Sequence, residues 1–146
     1  MHQLSVQQHL DAAPARVWAA MTSPAQWAAW MWPDSFATVC RLDLRVAGRY
    51  HLGSSVAGIG VGGEYEVVEP PSRAAFTWQW DGEPEVTTVE IAIEARQDGA
   101  VLRLVHRGFA DEATRDDHVQ GWDDCLARLA VHLAAPDQIG AEVQAH

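Results

Sequence analysis

The stretch HVQGWDDCLARLAVHL, from His118 to Leu133, sets Val119, Trp122, Cys125, Leu126, Leu129 and Leu133 three and four residues apart. That is the spacing of a helix that buries one face. Asp123, Asp124, Ala127 and Arg128 fall off the stripe and leave the opposite face to water. The pattern predicts a helix over residues 112–134, a rod of roughly 30 to 35 Å at about 1.5 Å per residue. Nearly everything upstream alternates as a strand does, and a sheet with one apolar face needs a cover of about that length. The chain is therefore read as α+β, a sheet closing on one C-terminal helix.

In chain order, Leu4, Val6 and Leu10 predict a first strand. Two short helices follow. One starts at Pro14 and carries Val17, Trp18 and Met21; the other has Ser23 as N-cap and Pro24 behind it, carries Trp27, Trp30 and Met31, and stops before Pro33. From Thr38 the period becomes two. Leu42, Leu44 and Val46 alternate with Arg41, Asp43 and Arg45, Ala47-Gly48 turns the chain, and Tyr50 and Leu52 resume the apolar phase. Gly53 to Gly63, with its GIGVGG run, reads as a hairpin with a flexible tip. It neither follows a buried parallel strand nor opens a helix, and it lacks the lysine of a phosphate-binding loop. Tyr65 with Val67, then Phe76 with Trp78 and Trp80, then Thr87 with Val89, Ile91 and Ile93, then Leu102 with Leu104 and His106, give further inward faces. Pro70-Pro71 and Gln97-Asp98-Gly99 supply turns. Glu64, Glu66, Glu90 and Glu94 fall on the outer face by parity, where Arg45, Arg103 and Arg107 oppose them. The count is six to seven strands in one domain spanning 1–146, with 136–146 a tail.

Charge and cysteine usage exclude several functions. Twenty acidic residues stand against ten basic ones, all arginine, for a net charge of −10. No cluster of basic residues suits a phosphate backbone, so neither nucleic acid nor an anionic membrane is an expected partner. No stretch reaches the ~18 apolar residues of a membrane span, and MHQLSVQQHLDAAP has no secretory pattern. A cytoplasmic location is the expectation. Cys40 and Cys125 fit no metal or redox spacing, and His2, His9, His51, His132 and His146 form no ligand set. No metal or other cofactor is implied.

The segments APARVWAAMTSPAQWAAWMWP, DLRVAGRYHL, GGEYEVVEPPSRAAFTWQW, LRLVHRGF and GWDDCLARLAVHL occur in that order over almost the whole chain. Together they resemble the START-like, or SRPBCC, superfamily with its helix-grip (Bet v 1/START-like) fold. More narrowly, they are similar to the small bacterial proteins grouped with the activator of heat shock protein 90 ATPase. Ala47 departs from the glycine usual in that family before Gly48, which touches a turn more than a site. The resemblance implies a curved antiparallel sheet around the last helix with a cavity between them. Members bind sterols, lipids, hormones or polyketides, and some catalyse cyclisation or dehydration.

A pocket of about 300 Å³, the low end for ligand sites, would if left dry cost roughly 7 kcal/mol at ~24 cal/mol per Å³. That rivals a small domain's whole stability of about 5–15 kcal/mol. The space must hold ligand, water or large side chains, and the chain has seven tryptophans. Trp27, Trp30, Trp32, Phe36, Trp78, Trp80, Phe109 and Trp122 are the candidate lining, or else ordinary core. His106 shares the inward phase, where imidazole can orient a ligand or move a proton; the commoner fate of a buried histidine is a satisfied hydrogen bond. Thr87 and Tyr65 add hydroxyls, and His118 sits at the helix margin as entrance or solvated residue. Adjacent Asp123 and Asp124 diverge by about 100° on a helix and form no facing pair. The leading expectation is non-enzymatic binding of a small hydrophobic molecule, lipid-like, aromatic or polyketide-like. The alternatives are a polyketide cyclase or aromatase using His106 or Tyr65, and a chaperone-interaction module. A homodimer is left open.

Overall fold

The computed structural model describes residues 1–134, and the tail read at 136–146 lies outside the described residues. The elements are β1 (His2–Leu10), α1 (Pro14–Thr22), α2 (Pro24–Met31), a 3-10 turn (Asp34–Phe36) and β2 (Val39–Leu42). Then come β3 (Arg49–Ser54), β4 (Ile59–Glu69), β5 (Arg73–Trp80), β6 (Thr87–Arg96), β7 (Gly99–Phe109) and α3 (Glu112–Ala134). Seven strands form one curved antiparallel sheet in the order β1-β7-β6-β5-β4-β3-β2. Strands β2 to β7 are consecutive hairpins, while β1 returns to pair with β7. This is the helix-grip α+β arrangement.

The helix α3 buries Trp122, Cys125, Leu126, Leu129 and Leu133, the residues of the apolar stripe. It packs on β1, on β7 and on α2. Covering one side of the sheet leaves the β5 end to be closed by other groups. The break between α1 and α2 is set by Pro24, which holds Ser23 extended at φ −89°, ψ 123°. Ser23 makes no side-chain capping bond, so the expected hydroxyl cap is replaced by proline geometry alone. Arg128, expected in water, is half-buried and donates to the carbonyls of Trp30 (3.1 Å) and Met31 (2.8 Å). A cation there satisfies carbonyls that the end of α2 leaves unpaired.

Three local expectations are corrected. The β2 strand stops at Leu42, so Leu44 and Val46 belong to the turn, and Val46 is exposed. Arg45 in that turn pairs with Asp43 at 2.7 Å instead of facing a strand glutamate. Gly53 to Gly63 forms the expected hairpin: β3 turns at residues 55–58, with Gly58 at φ +71°, and from Ile59 the rest of the GIGVGG run belongs to β4, with Val61 fully buried. A register shift between Tyr65 and Val67 makes Val68, not Val67, the residue packed against the core. The outer glutamates otherwise behave as parity predicts, with Glu90 bonded by Arg73 and Arg107 and Glu94 by Arg96 and Arg103.

At β7 a bulge has larger consequences. Gly108 adopts φ +99°, and the pairing slips so that Gln3 faces Arg107 while His2 faces Phe109. The slip turns Phe109 inward beside His106, although simple alternation would send it out.

The turn before β3 holds a strained residue. Ala47 sits at φ 71°, in the left-handed region. A side chain on the neighbouring Gly48 would meet the Asp43 carbonyl oxygen, so the turn cannot shift the strain there. Ala47→Gly should therefore stabilise the protein by about 1 kcal/mol, read as a rise in the urea midpoint at unchanged slope.

Candidate functional site

The interior aromatics divide into two groups. Trp27, Tyr50, Tyr65 and Phe76 interlock under α2, with ring centroids 5.1 to 5.9 Å apart. Trp30 lies between the helices, its indole N–H donating to the Ala20 carbonyl at 2.9 Å. The second group gathers where β5, β7 and α3 meet. Trp78 packs edge-on against Trp80 and tilted against Trp122, Trp80 stacks on Trp32 at 6.3 Å, and Trp32 meets Phe36.

A directional chain of hydrogen bonds runs through this second group. The Trp122 indole N–H donates to His106 Nδ1 at 3.0 Å, so the imidazole proton resides on Nε2. Nε2–H donates to Thr87 Oγ1 at 2.6 Å, and the Thr87 hydroxyl donates to the Trp78 carbonyl at 3.3 Å. His118 is fixed similarly: its Nδ1–H donates to the Thr114 carbonyl at 2.8 Å, and its Nε2 accepts the Trp80 indole N–H at 2.9 Å. The margin histidine is thus half-buried and bonded at both ring nitrogens, not simply solvated. Both nitrogens of buried His106 are likewise used inside the protein.

Beside this network lies a hollow of about 240 Å³ between the end of α2, the β5 terminus and α3. Of the expected lining residues it brings together Trp32, Phe36, Trp78, Trp80 and Trp122. Trp27, Trp30, Tyr65, Thr87, His106, Phe109 and His118 are not on its wall. Met31, Pro33, Gly121, Asp124, Cys125 and Arg128 complete it, and exposed Gly121 and Asp124 mark its mouth. Burial pushes the Cys125 thiol up to about 11, and its Sγ donates to the Met31 carbonyl at 3.0 Å, so it is an inert wall atom.

Two features of the wall bear on ligands. The Trp78 indole nitrogen is buried and has no partner among the described residues. Gly121 lies within α3, and a Cβ built on it meets open space. Glycine inside a helix costs about 1 kcal/mol relative to alanine, and here no close contact demands it. The wall residue most easily overlooked in the sequence is this glycine, which lies off the apolar stripe and whose one signal is its place inside the helix next to Trp122.

The family model described as Activator of Hsp90 ATPase homolog 1-like protein matches residues 11–134. The chain belongs to that family. Among solved structures, a protein from Chromobacterium violaceum is 27% identical, with 90% of this chain and 96% of that one covered at a TM-score of 0.79. CalU16 from Micromonospora echinospora is 26% identical over 94% of this chain and 78% of its own, with a TM-score of 0.72. DynU16, a protein of the dynemicin biosynthetic locus, is 20% identical over 90% of this chain and 47% of its own, with a TM-score of 0.78, and shows the fold alone. No curated protein matches the chain.

Within this member of the Activator of Hsp90 ATPase homolog 1-like family, burial first and the nearby His118 second depress the His106 pKa from 6.5 to about 3. The unfolded imidazole takes up its proton near pH 6.5, well before the folded one. Stability tied to neutral His106 is therefore complete above pH ~6.5 and declines as the pH falls toward ~3, by up to about 1.4 kcal/mol per pH unit. Urea unfolding at a series of pH values should show this slope in the wild type. His106→Gln, less stable throughout because it breaks the chain, should show a flatter one between pH ~6.5 and ~4.

Proposed function

We propose that the hollow binds a small, largely apolar aromatic molecule bearing one hydrogen-bond acceptor, and that the protein is a binder of that molecule, not a catalyst. The observation that carries this reading is Trp78, a buried wall residue with an unpartnered indole N–H. Buried donors nearly always have partners, and leaving one unpaired costs about 1–3 kcal/mol. The nitrogen is sealed from the hollow at rest, and a small rotation of the indole that turns the N–H toward a ligand carbonyl or ether oxygen removes that cost. The near-parallel Trp32 and Trp80 rings, 20° apart, offer flat apolar faces to the rest of the molecule. A cavity of ~150 Å³ holds benzene, so this one takes a somewhat larger ring system.

A cyclase-type reaction in the same hollow needs a group that exchanges protons near neutral pH. His106 is held near 3 and occupied at both nitrogens, and burial pushes the Tyr65 phenol above its ordinary value. The dynemicin-locus neighbour supports that alternative only as far as a shared fold. The chaperone-module reading has the family description behind it and no particular residues.

Native mass spectrometry of protein purified from its own host, followed by tryptophan-fluorescence titration with an aromatic and lipid library, tests the reading. A co-purifying apolar adduct or a saturable response supports it; repeated absence of both overturns it. Two variants localise the site. Gly121→Ala should raise stability by about 0.5–1 kcal/mol, whereas Gly121→Leu should fold and yet lose ligand, because its side chain fills the mouth. Trp78→Phe should cost about 1–2 kcal/mol in stability. It should also abolish the affinity difference between an aromatic ketone and its hydrocarbon analogue, which isothermal titration measures.

A further inference from the structure

We infer that the outer face of the sheet carries a second binding site, for a small molecule bearing an oxyanion, seated where Gly53 on β3 and Gly60 and Gly62 on β4 leave the strands bare around His51 and Asp81. Two adjoining hollows of about 520 and 630 Å³ flank this pair, and Arg41, His51 and Asp81 line both. His51 Nε2 lies 2.9 and 3.1 Å from the two Asp81 carboxylate oxygens. The imidazole rests flat across the strands. A Cβ on Gly60 would strike Asp81 Oδ2 and come within 3.0 Å of His51 Nε2, one on Gly53 would lie 3.0 Å from the ring, and one on Gly62 would lie 3.2 Å from it.

Stability does not explain this arrangement. The side chains of His51 and Asp81 are 44% and 57% exposed, and an ion pair of that kind contributes about 0–1 kcal/mol. Each strand glycine that makes room for it costs roughly 0.5–1 kcal/mol. Three glycines therefore cost more than the pair returns, and glycine in a strand often marks close approach by a ligand.

The arginines indicate which ligand. Arg45, Arg73, Arg96, Arg103, Arg107 and Arg115 all pair with carboxylates. Arg16 and Arg128 donate to backbone carbonyls. Among the described residues only Arg41 and Arg49 have neither kind of partner, and both line the same hollow, in a chain of net charge −10. Arg49 lies across the strands from Glu64 without closing an ion pair. Two free guanidinium forks suit carboxylate or phosphate oxygens. Asp81 orients His51, whose Nδ1 has no hydrogen-bond partner among the described residues and is left for a ligand hydroxyl.

The test is a pair of backbone-amide NMR titrations at constant ionic strength, one with inorganic phosphate and one with acetate. Saturable shifts at Gly53, Gly60 and Gly62 in either series are expected, the tighter anion identifying the ligand as phosphate or carboxylate. Arg41→Gln/Arg49→Gln should weaken that anion about tenfold or more while keeping the tryptophan-fluorescence response of the inner hollow and an unchanged amide spectrum elsewhere. Non-saturating shifts with both anions, or equal affinity in the double variant, overturn the proposal without touching the reading of the inner cavity.

Discussion

The hydrogen bond from the Trp122 indole to His106 Nδ1 fixes where the terminal helix sits above the sheet. Apolar packing along α3 is tolerant of small slides, since leucines find comparable neighbours a fraction of a turn away. A buried N–H aimed at one imidazole lone pair is not. If the helix shifts, the indole and the ring are both left unpaired, at about 1–3 kcal/mol each. The bond also dictates the His106 tautomer, which places the proton toward Thr87 and orders the rest of the chain to the Trp78 backbone. Helix height, strand spacing and ring orientation are thus set together, and the hollow between Trp78, Trp80 and Gly121 is the space that this arrangement leaves.

The polar groups on the two faces serve different ends. Inside, those on β7 and α3 are used up holding the scaffold: both nitrogens of His106 and of His118 are bonded, and Arg128 is committed to the end of α2. That leaves the cavity wall mostly apolar, with the buried Trp78 indole N–H among its uncommitted donors. On the outer face, most arginines neutralise glutamates in pairs that screen one another. The exception is the patch around His51, where side chains are missing from the strands and charges are left open.

Sequence periodicity revealed the elements well and the irregularities poorly. The stripe on α3, the inward phases of β5, β6 and β7 and the paired short helices were all legible, because each repeats a physical period several times. The bulges at Glu66 and Gly108 were not, since one extra residue inverts the parity used to infer faces, and the one trace in the sequence is the glycine at 108, which the structure places at positive φ. The end of β2 was missed because Leu44 and Val46 continued the alternation into a turn. The site was half legible. Aromatic residues named themselves by size, yet whether a given indole lines a space or fills one depends on neighbours such as Gly121 that add no bulk. Trp27 and Tyr65 look as suitable as Trp32 by composition, and they are locked in a separate cluster by Tyr50 and Phe76.

The sheet is open, with β1 and β2 as its two margins. An unpaired strand margin is a template for other chains and thus for aggregation. The nine-residue margin, β1, has α3 packed against it, and the other, β2, is only four residues long and carries Arg41. Brevity and charge at one border, and a helical shield at the other, give this fold a way to remain unclosed without recruiting copies of itself into longer ribbons.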